Sequence, residues 1–236
     1  MAIKTYKLKN VKNKKASEHF YYREFACPGF DKLKLDSNLP LYLEALFFKL
    51  GASKAVITSG YRTPAYSVSI GGTATDRHTQ GMAADVVFYN ASGAVISPIV
   101  VCCAAEDLGF IGGVARIGKT ATHIDTRPTE SRYFGDETKG YNSIWYYKPG
   151  STGFYDYFGI SKPKERFIKY TVKKNVVSRK TPFKLKGNKA ARFKKGATVK
   201  VLKNGRAAYD KTVFFKIKYA GKYYYINRKY LKKASS

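Results

Sequence analysis

The chain has 236 residues and a net charge of +28, from 44 lysines and arginines against 16 acidic residues. That length accommodates one sizeable domain and a second, smaller one. Its three cysteines, Cys27, Cys102 and Cys103, lack the spacing of a disulfide framework, and no apolar run reaches the about 18 residues that a membrane span needs.

The charge is unevenly distributed. Residues 169–236 carry 22 basic residues and one acidic residue, Asp210, for +21, whereas residues 1–168 carry 22 basic and 15 acidic residues, for +7. A composition break of this size marks a domain boundary. The expected organisation is a domain over 1–160, a linker over 161–168 that contains Ser161-Lys162-Pro163-Lys164, and a small domain over 169–236.

Residues 1–16 form a basic lead-in, a strand or an arm. Within 36–50, Leu39, Leu41, Leu43, Leu46, Phe47 and Leu50 give a helix with a wide apolar face, and Pro40 stands near its start. A strand over 55–58 ends at Ser59-Gly60 and leads to a loop carrying Arg62. A turn at Gly71-Gly72 follows. Ala83 to Phe88 reads as a buried strand on which Ala83, Asp85 and Val87 share one face. Ser97 fits an N-cap and Pro98 a first helical position, so 98–108 is helical, with Cys102 and Cys103 as small buried fillers. Thr122 to Thr126 is a second short strand, with His123 and Asp125 on one face and Ile124 toward the core. Mixed helices and short strands give an α+β domain. Tyr141, Trp145, Tyr146, Tyr147, Tyr155 and Tyr157 either line a groove or pack a terminal extension, and packing is the favoured reading.

The chemistry concentrates in two strings, Thr75 to Asp85 and Thr122 to Arg127. Two of the three histidines in the chain, His78 and His123, fall in them. If Gly81 bends the chain before the strand, His78 folds back over Asp85. Two imidazoles and one carboxylate, His78, Asp85 and His123, suit zinc and leave a fourth position for water. Such a site generates a hydroxide nucleophile at neutral pH. Arg62 is a candidate to hold a developing oxyanion or a substrate carboxylate.

Ser59-Gly60-Tyr61-Arg62, Gly71-Gly72, His78 to Asp85 and His123-Ile124-Asp125-Thr126-Arg127 resemble zinc D-Ala-D-Ala carboxypeptidase-type peptidases. That group includes phage endolysins and shares its metal-site fold with the hedgehog signalling domain. His19-Phe20 and Glu24-Phe25-Ala26-Cys27 resemble the start of phage and prophage members, so the likeness runs over about residues 17 to 136. The resemblance implies zinc held by His78, Asp85 and His123, with Arg62 near the substrate. Two positions depart from the family pattern. Asp76 stands where a small hydroxyl residue is usual, and Arg116 to Thr122 contains neither the carboxylate nor the histidine that serves several members as base. Asp125 is then the candidate base, its alternative role being to hold an imidazole or pair with Arg127.

From Tyr170 the pattern changes to short β-branched and aromatic strands at 170–172, 197–202, 212–219 and 222–226. Turns are expected at Lys195-Gly196, Asn204-Gly205 and Ala220-Gly221. Lys194-Lys195-Gly196, Val199, Val201-Leu202 and the closing Tyr230-Leu231 resemble a bacterial SH3-like domain, a small all-β barrel that accompanies wall hydrolases. Charge alone points to nucleic acid. Beside a zinc peptidase motif, bacterial peptidoglycan is the expected partner, with teichoic acids or other wall polyanions as further ones.

The resulting expectation is a modular endolysin that cleaves a stem peptide or cross-link of peptidoglycan. Without a visible signal peptide, it is expected in the host cytoplasm until lysis and on the wall afterwards. The alternatives are a host D-Ala-D-Ala carboxypeptidase and a non-catalytic, zinc-stabilised wall-binding protein.

Overall fold

Alternation of leucine with lysine builds the first hairpin. Strand β1 (Ile3–Lys7) pairs antiparallel with β2 (Lys32–Asp36), where Leu33 and Leu35 are buried while Lys32 and Lys34 are exposed. Of the basic lead-in over 1–16, residues 3–7 are strand and 8–11 a helical turn. A one-turn helix α1 (Leu8–Val11) and a 3-10 turn (Tyr22–Phe25) lie between the two strands. The computed structural model describes residues 3–109, 112–128, 132–137, 145–147, 153–183 and 187–234, with backbone only for 132–134 and 145–147. It divides into two compact units, Met1–Ile160 and Ser161–Ser236.

In the first unit, α2 (Leu39–Leu50) buries Leu39, Tyr42, Leu43, Leu46 and Phe47. Pro40 opens it, where a missing N–H costs nothing, and Gly51 ends it at φ 62°. Then follow β3 (Lys54–Ser59), α3 (Pro64–Ser69), β4 (Ala83–Tyr89), α4 (Pro98–Leu108), β5 (Val114–Ile117), β6 (Ala121–Asp125), β7 (Arg132–Asp136), β8 (Trp145–Tyr147) and α5 (Phe154–Tyr157). The sheet order among the described residues is β3-β4-β6-β5-β7-β8, antiparallel except for β5 beside β7. Helices α2 and α4 pack on each other and on this sheet. Ala84, Val86, Phe88 and Ile124 are fully buried, and strand alternation puts them on the face opposite Asp85 and His123. No helix among the described residues is long and apolar enough to cross a membrane.

Ser97 occupies the N-cap of α4 without a side-chain cap bond, so Pro98 and the Gly109 C-cap at φ 72° set the bounds of that helix. All three cysteines are buried free thiols. Several short elements do not show in the sequence pattern, α3 and β5 among them. Helix α3 has only six residues and owes its start to Pro64 and to Thr63, whose side chain accepts from the Tyr66 N–H. Strand β5 has four residues, too few for a period. Tyr141 lies outside the described residues, as do the side chains of Trp145, Tyr146 and Tyr147, while Tyr155 is buried on α5.

Gly81 joins the hairpin to the sheet. Its φ is 73°, its carbonyl accepts from the Asp36 N–H at 2.8 Å, and a Cβ there would lie 2.5 Å from the Lys34 carbonyl oxygen. Gly81→Ala combines a left-handed alanine with a clash against backbone, for an expected loss of about 2–4 kcal/mol. A lowered urea midpoint at unchanged slope would register it, and an unchanged midpoint would refute it.

The second unit is all antiparallel strand among its paired elements. It comprises β9 (Phe167–Val172), β10 (Val176–Arg179), β11 (Lys189–Phe193), β12 (Thr198–Tyr209), β13 (Thr212–Tyr219), β14 (Lys222–Asn227) and β15 (Leu231–Lys233), in the order β11-β10-β14-β13-β12-β9-β15. Val172, Phe193, Val199, Val201, Ile217, Ile226 and Leu231 form its core. Ala220-Gly221 turns the β13–β14 hairpin with φ of 47° and 74°. Asn204-Gly205, expected as a turn, lies inside β12, where the pairing with β13 shifts register between Val201 and Arg206. The glycine serves that bulge: a Cβ at 205 would stand 2.8 Å from those of Leu202 and Lys216. The chain turns instead at Asp210-Lys211, with φ of 49° and 60°.

Candidate metal centre

Sheet register assembles the site. Asp85 on β4 is the direct cross-strand partner of His123 on β6, and of Ser59 on β3 at its other side. His78 arrives on the loop between α3 and β4. It donates from Nδ1 to the Gly60 carbonyl at 2.8 Å and aims Nε2 at Asp85 Oδ1, 3.4 Å away. His123 places Nδ1 3.0 Å from the same oxygen. Together His78, Asp85 and His123 offer three ligand atoms within 4.8 Å of one another, all on buried residues.

The donor set fits zinc on its own chemistry. Bonds of about 2.0–2.1 Å make a tetrahedron with edges of about 3.4 Å, close to the 3.0 and 3.4 Å separations here. The outer nitrogen of each imidazole is occupied, His78 Nδ1 by Gly60 and His123 Nε2 by Asp125 Oδ2 at 3.2 Å. With a metal bound, those contacts would keep one proton on each outer nitrogen and free the inner lone pairs as ligands. Without a metal, burial opposes charge on His123, but the hydrogen bonds it donates to Asp125 and Asp85 outweigh that and raise its pKa to about 10. Burial likewise opposes ionisation of Asp85, yet hydrogen bonds from His123 and His78 hold its carboxyl well below the usual range.

Arg62 faces inward. Its Nη2 pairs with Asp85 Oδ2 at 2.9 Å, Nε donates to Ser59 Oγ at 2.8 Å, and Nη1 lies 3.9 Å from Asp76 Oδ2. The guanidinium thus fixes the outer oxygen of Asp85 and leaves Oδ1 toward the histidines. Asp76 anchors the His78 loop, accepting from the Thr79 N–H at 2.8 Å through Oδ1 and from Ser67 Oγ through Oδ2. A small hydroxyl residue would not tie both ends of that loop.

Asp125 is fully buried and surrounded by donors. Besides His123, the Gly113 N–H donates at 2.7 Å, the Arg127 N–H at 3.0 Å and Arg127 Nε at 2.9 Å, with Arg127 Nη2 closing the fork. Hydrogen bonds from His123 and Arg127 overcome burial and depress its pKa well below the ordinary value. Gly112 permits this packing, because a Cβ there would fall 1.7 Å from the Asp125 carbonyl oxygen. The contacts made by the Gly60 carbonyl, Ser59 Oγ, the Gly113 N–H and Asp76 carry no sign in the sequence beyond the place of Ser59-Gly60 in a motif.

Residues 18–125 match the family model described as Peptidase M15, a segment that holds all three ligand candidates. No curated protein and no solved structure matches. Peptidases of that family are typically zinc-dependent metallopeptidases acting on peptidoglycan, so the match supports a zinc peptidase in this segment. The matched segment is less than half of the chain.

Proposed function

We propose that the chain is a modular peptidoglycan hydrolase of the endolysin type, with a metal centre in the first unit and an SH3-like wall-binding module in the second. The convergence of His78 Nε2, Asp85 Oδ1 and His123 Nδ1 inside the matched segment carries this reading. When bound, zinc supplies a water acidic enough to lose its proton near neutral pH and a Lewis acid for the peptide carbonyl. The chain's own residues do the rest. His78 and His123 present inward lone pairs, and Arg62 holds Asp85 in its one-oxygen pose while adding positive potential beside the developing oxyanion. Of the two roles the sequence leaves open for Asp125, the proposal assigns orientation of His123, because donors already fill its carboxylate.

The second unit would hold the enzyme on anionic wall polymers, with +21 over residues 169–236, and raise its local concentration there. Storage in the host cytoplasm until lysis belongs to the same reading. Digestion of purified peptidoglycan from several bacteria, followed by mass spectrometry, tests it. A single class of peptide cut is expected from the zinc-loaded protein and none from His78→Ala. Trimming of free stem termini with cross-links left intact would favour a carboxypeptidase. A folded, zinc-loaded protein that cuts no wall would sink the hydrolase and leave a non-catalytic wall binder.

A further inference from the structure

In the second unit a cavity of about 180 Å³ opens among Arg179, Thr212, Phe214, Tyr225, Asn227 and Tyr230. We propose that it binds a carboxylate carried on a short, partly apolar group such as a peptide C-terminus. The wall-binding reading of this unit supplies the origin of the ligand, the peptide ends of peptidoglycan, while the site itself is argued from the pocket alone.

The pocket combines one oriented cation with neutral donors and aromatic walls. Arg179 is the direct cross-strand partner of Tyr225. Its guanidinium carbon lies 5.2 Å from the Phe214 ring centroid, which steadies the fork. One arm donates to the Phe183 carbonyl at a long 3.5 Å. No carboxylate pairs with Arg179 among the described residues, and Asp210 is the sole acidic residue of 169–236. Such a fork pairs with either a carboxylate or a phosphate, and the small volume of about 180 Å³ favours the more compact, singly charged carboxylate.

Asn227 uses its side-chain oxygen to cap the next turn, accepting from the Lys229 N–H at 3.0 Å, which leaves its amide N–H groups to donate. Val177, which is exposed, and Tyr230 offer apolar surface to the group that bears the carboxylate, over a floor of the buried Phe214 and Tyr225. Lys174 and Lys229 lie 4.6 and 5.1 Å from the Tyr230 ring and add positive potential at the rim. The volume is below the roughly 300 Å³ at which drug-sized ligand pockets begin, so it admits a terminus and not a polymer segment.

Calorimetric titration of the full-length protein with N-acetyl-D-alanine, its primary amide and glycerol 1-phosphate provides the test. The acid is expected to bind saturably, and the amide at least about tenfold more weakly. Arg179→Gln should weaken acid binding by a similar factor and Arg179→Lys by less, since lysine keeps the charge and loses the fork. Equal binding of acid and amide, binding of the phosphate alone, no binding at all, or full acid binding by a natively folded Arg179→Gln protein would each overturn the proposal. The acid-to-amide comparison, repeated on metal-free Arg62→Ala to exclude binding in the first unit, stands even if the Arg179 variants misfold. A protein that binds the acid through Arg179 but cleaves no wall would refute the hydrolase and leave this pocket assigned.

Discussion

Replacing Asp85 with asparagine is expected to weaken zinc binding by at least about 100-fold and to take wall hydrolysis below detection. The amide keeps the shape of the side chain, so β4 and its neighbours retain their pairing. It removes the negative charge that both imidazoles face at 3.0 and 3.4 Å, and that Arg62 grips at 2.9 Å. Zinc affinity by competition with a chromophoric chelator, read beside release of new peptide termini, separates loss of metal from loss of fold. A variant that held zinc and cleaved walls within tenfold of the parent would remove Asp85 from the ligand set.

Asp125→Ala should destabilise the first unit by about 3–5 kcal/mol, because it breaks a buried ion pair with Arg127 and takes the acceptor from the Gly113 N–H. For a unit of this size the melting temperature should fall by roughly 6–20 °C. The companion variant Asp125→Ala/Arg127→Leu removes both members of the pair and should recover part of that loss, since apolar side chains replace a broken buried pair. Zinc affinity should stay reduced in the double variant, because the His123 Nε2 proton has then lost its acceptor. If the double variant binds zinc normally and still fails to cleave walls, Asp125 acts on the reaction and not on the imidazole.

The sequence made the metal-site strings visible because their residue types are rare here and their chemistry is strict. Strands β4 and β6 and helices α2 and α4 were equally legible, since each has a period or a cap that residue types alone can show. The contacts that complete the site were less so. The Gly60 carbonyl, the Gly113 N–H and the Gly112 approach to Asp125 are backbone events, and one amide looks like another in a sequence. In the second unit, Asn204-Gly205 has the composition of a hairpin turn, but the pairing of β12 with β13 turns it into a bulge. The turn fell to Asp210-Lys211, which carries no glycine.

The direct pairing of Asp85 with His123 has a consequence for how the first unit matures. A slip of one residue between β4 and β6 would send the carboxylate and the imidazole to opposite sides of the sheet. Only one alignment of the strands then presents a complete set of donors, and zinc bound there would stabilise that alignment by mass action while doing nothing for its competitors. The ion would act as a proofreader of strand alignment before it serves any reaction. Refolding in the presence of zinc should accordingly raise the yield of native protein, and not merely its final stability.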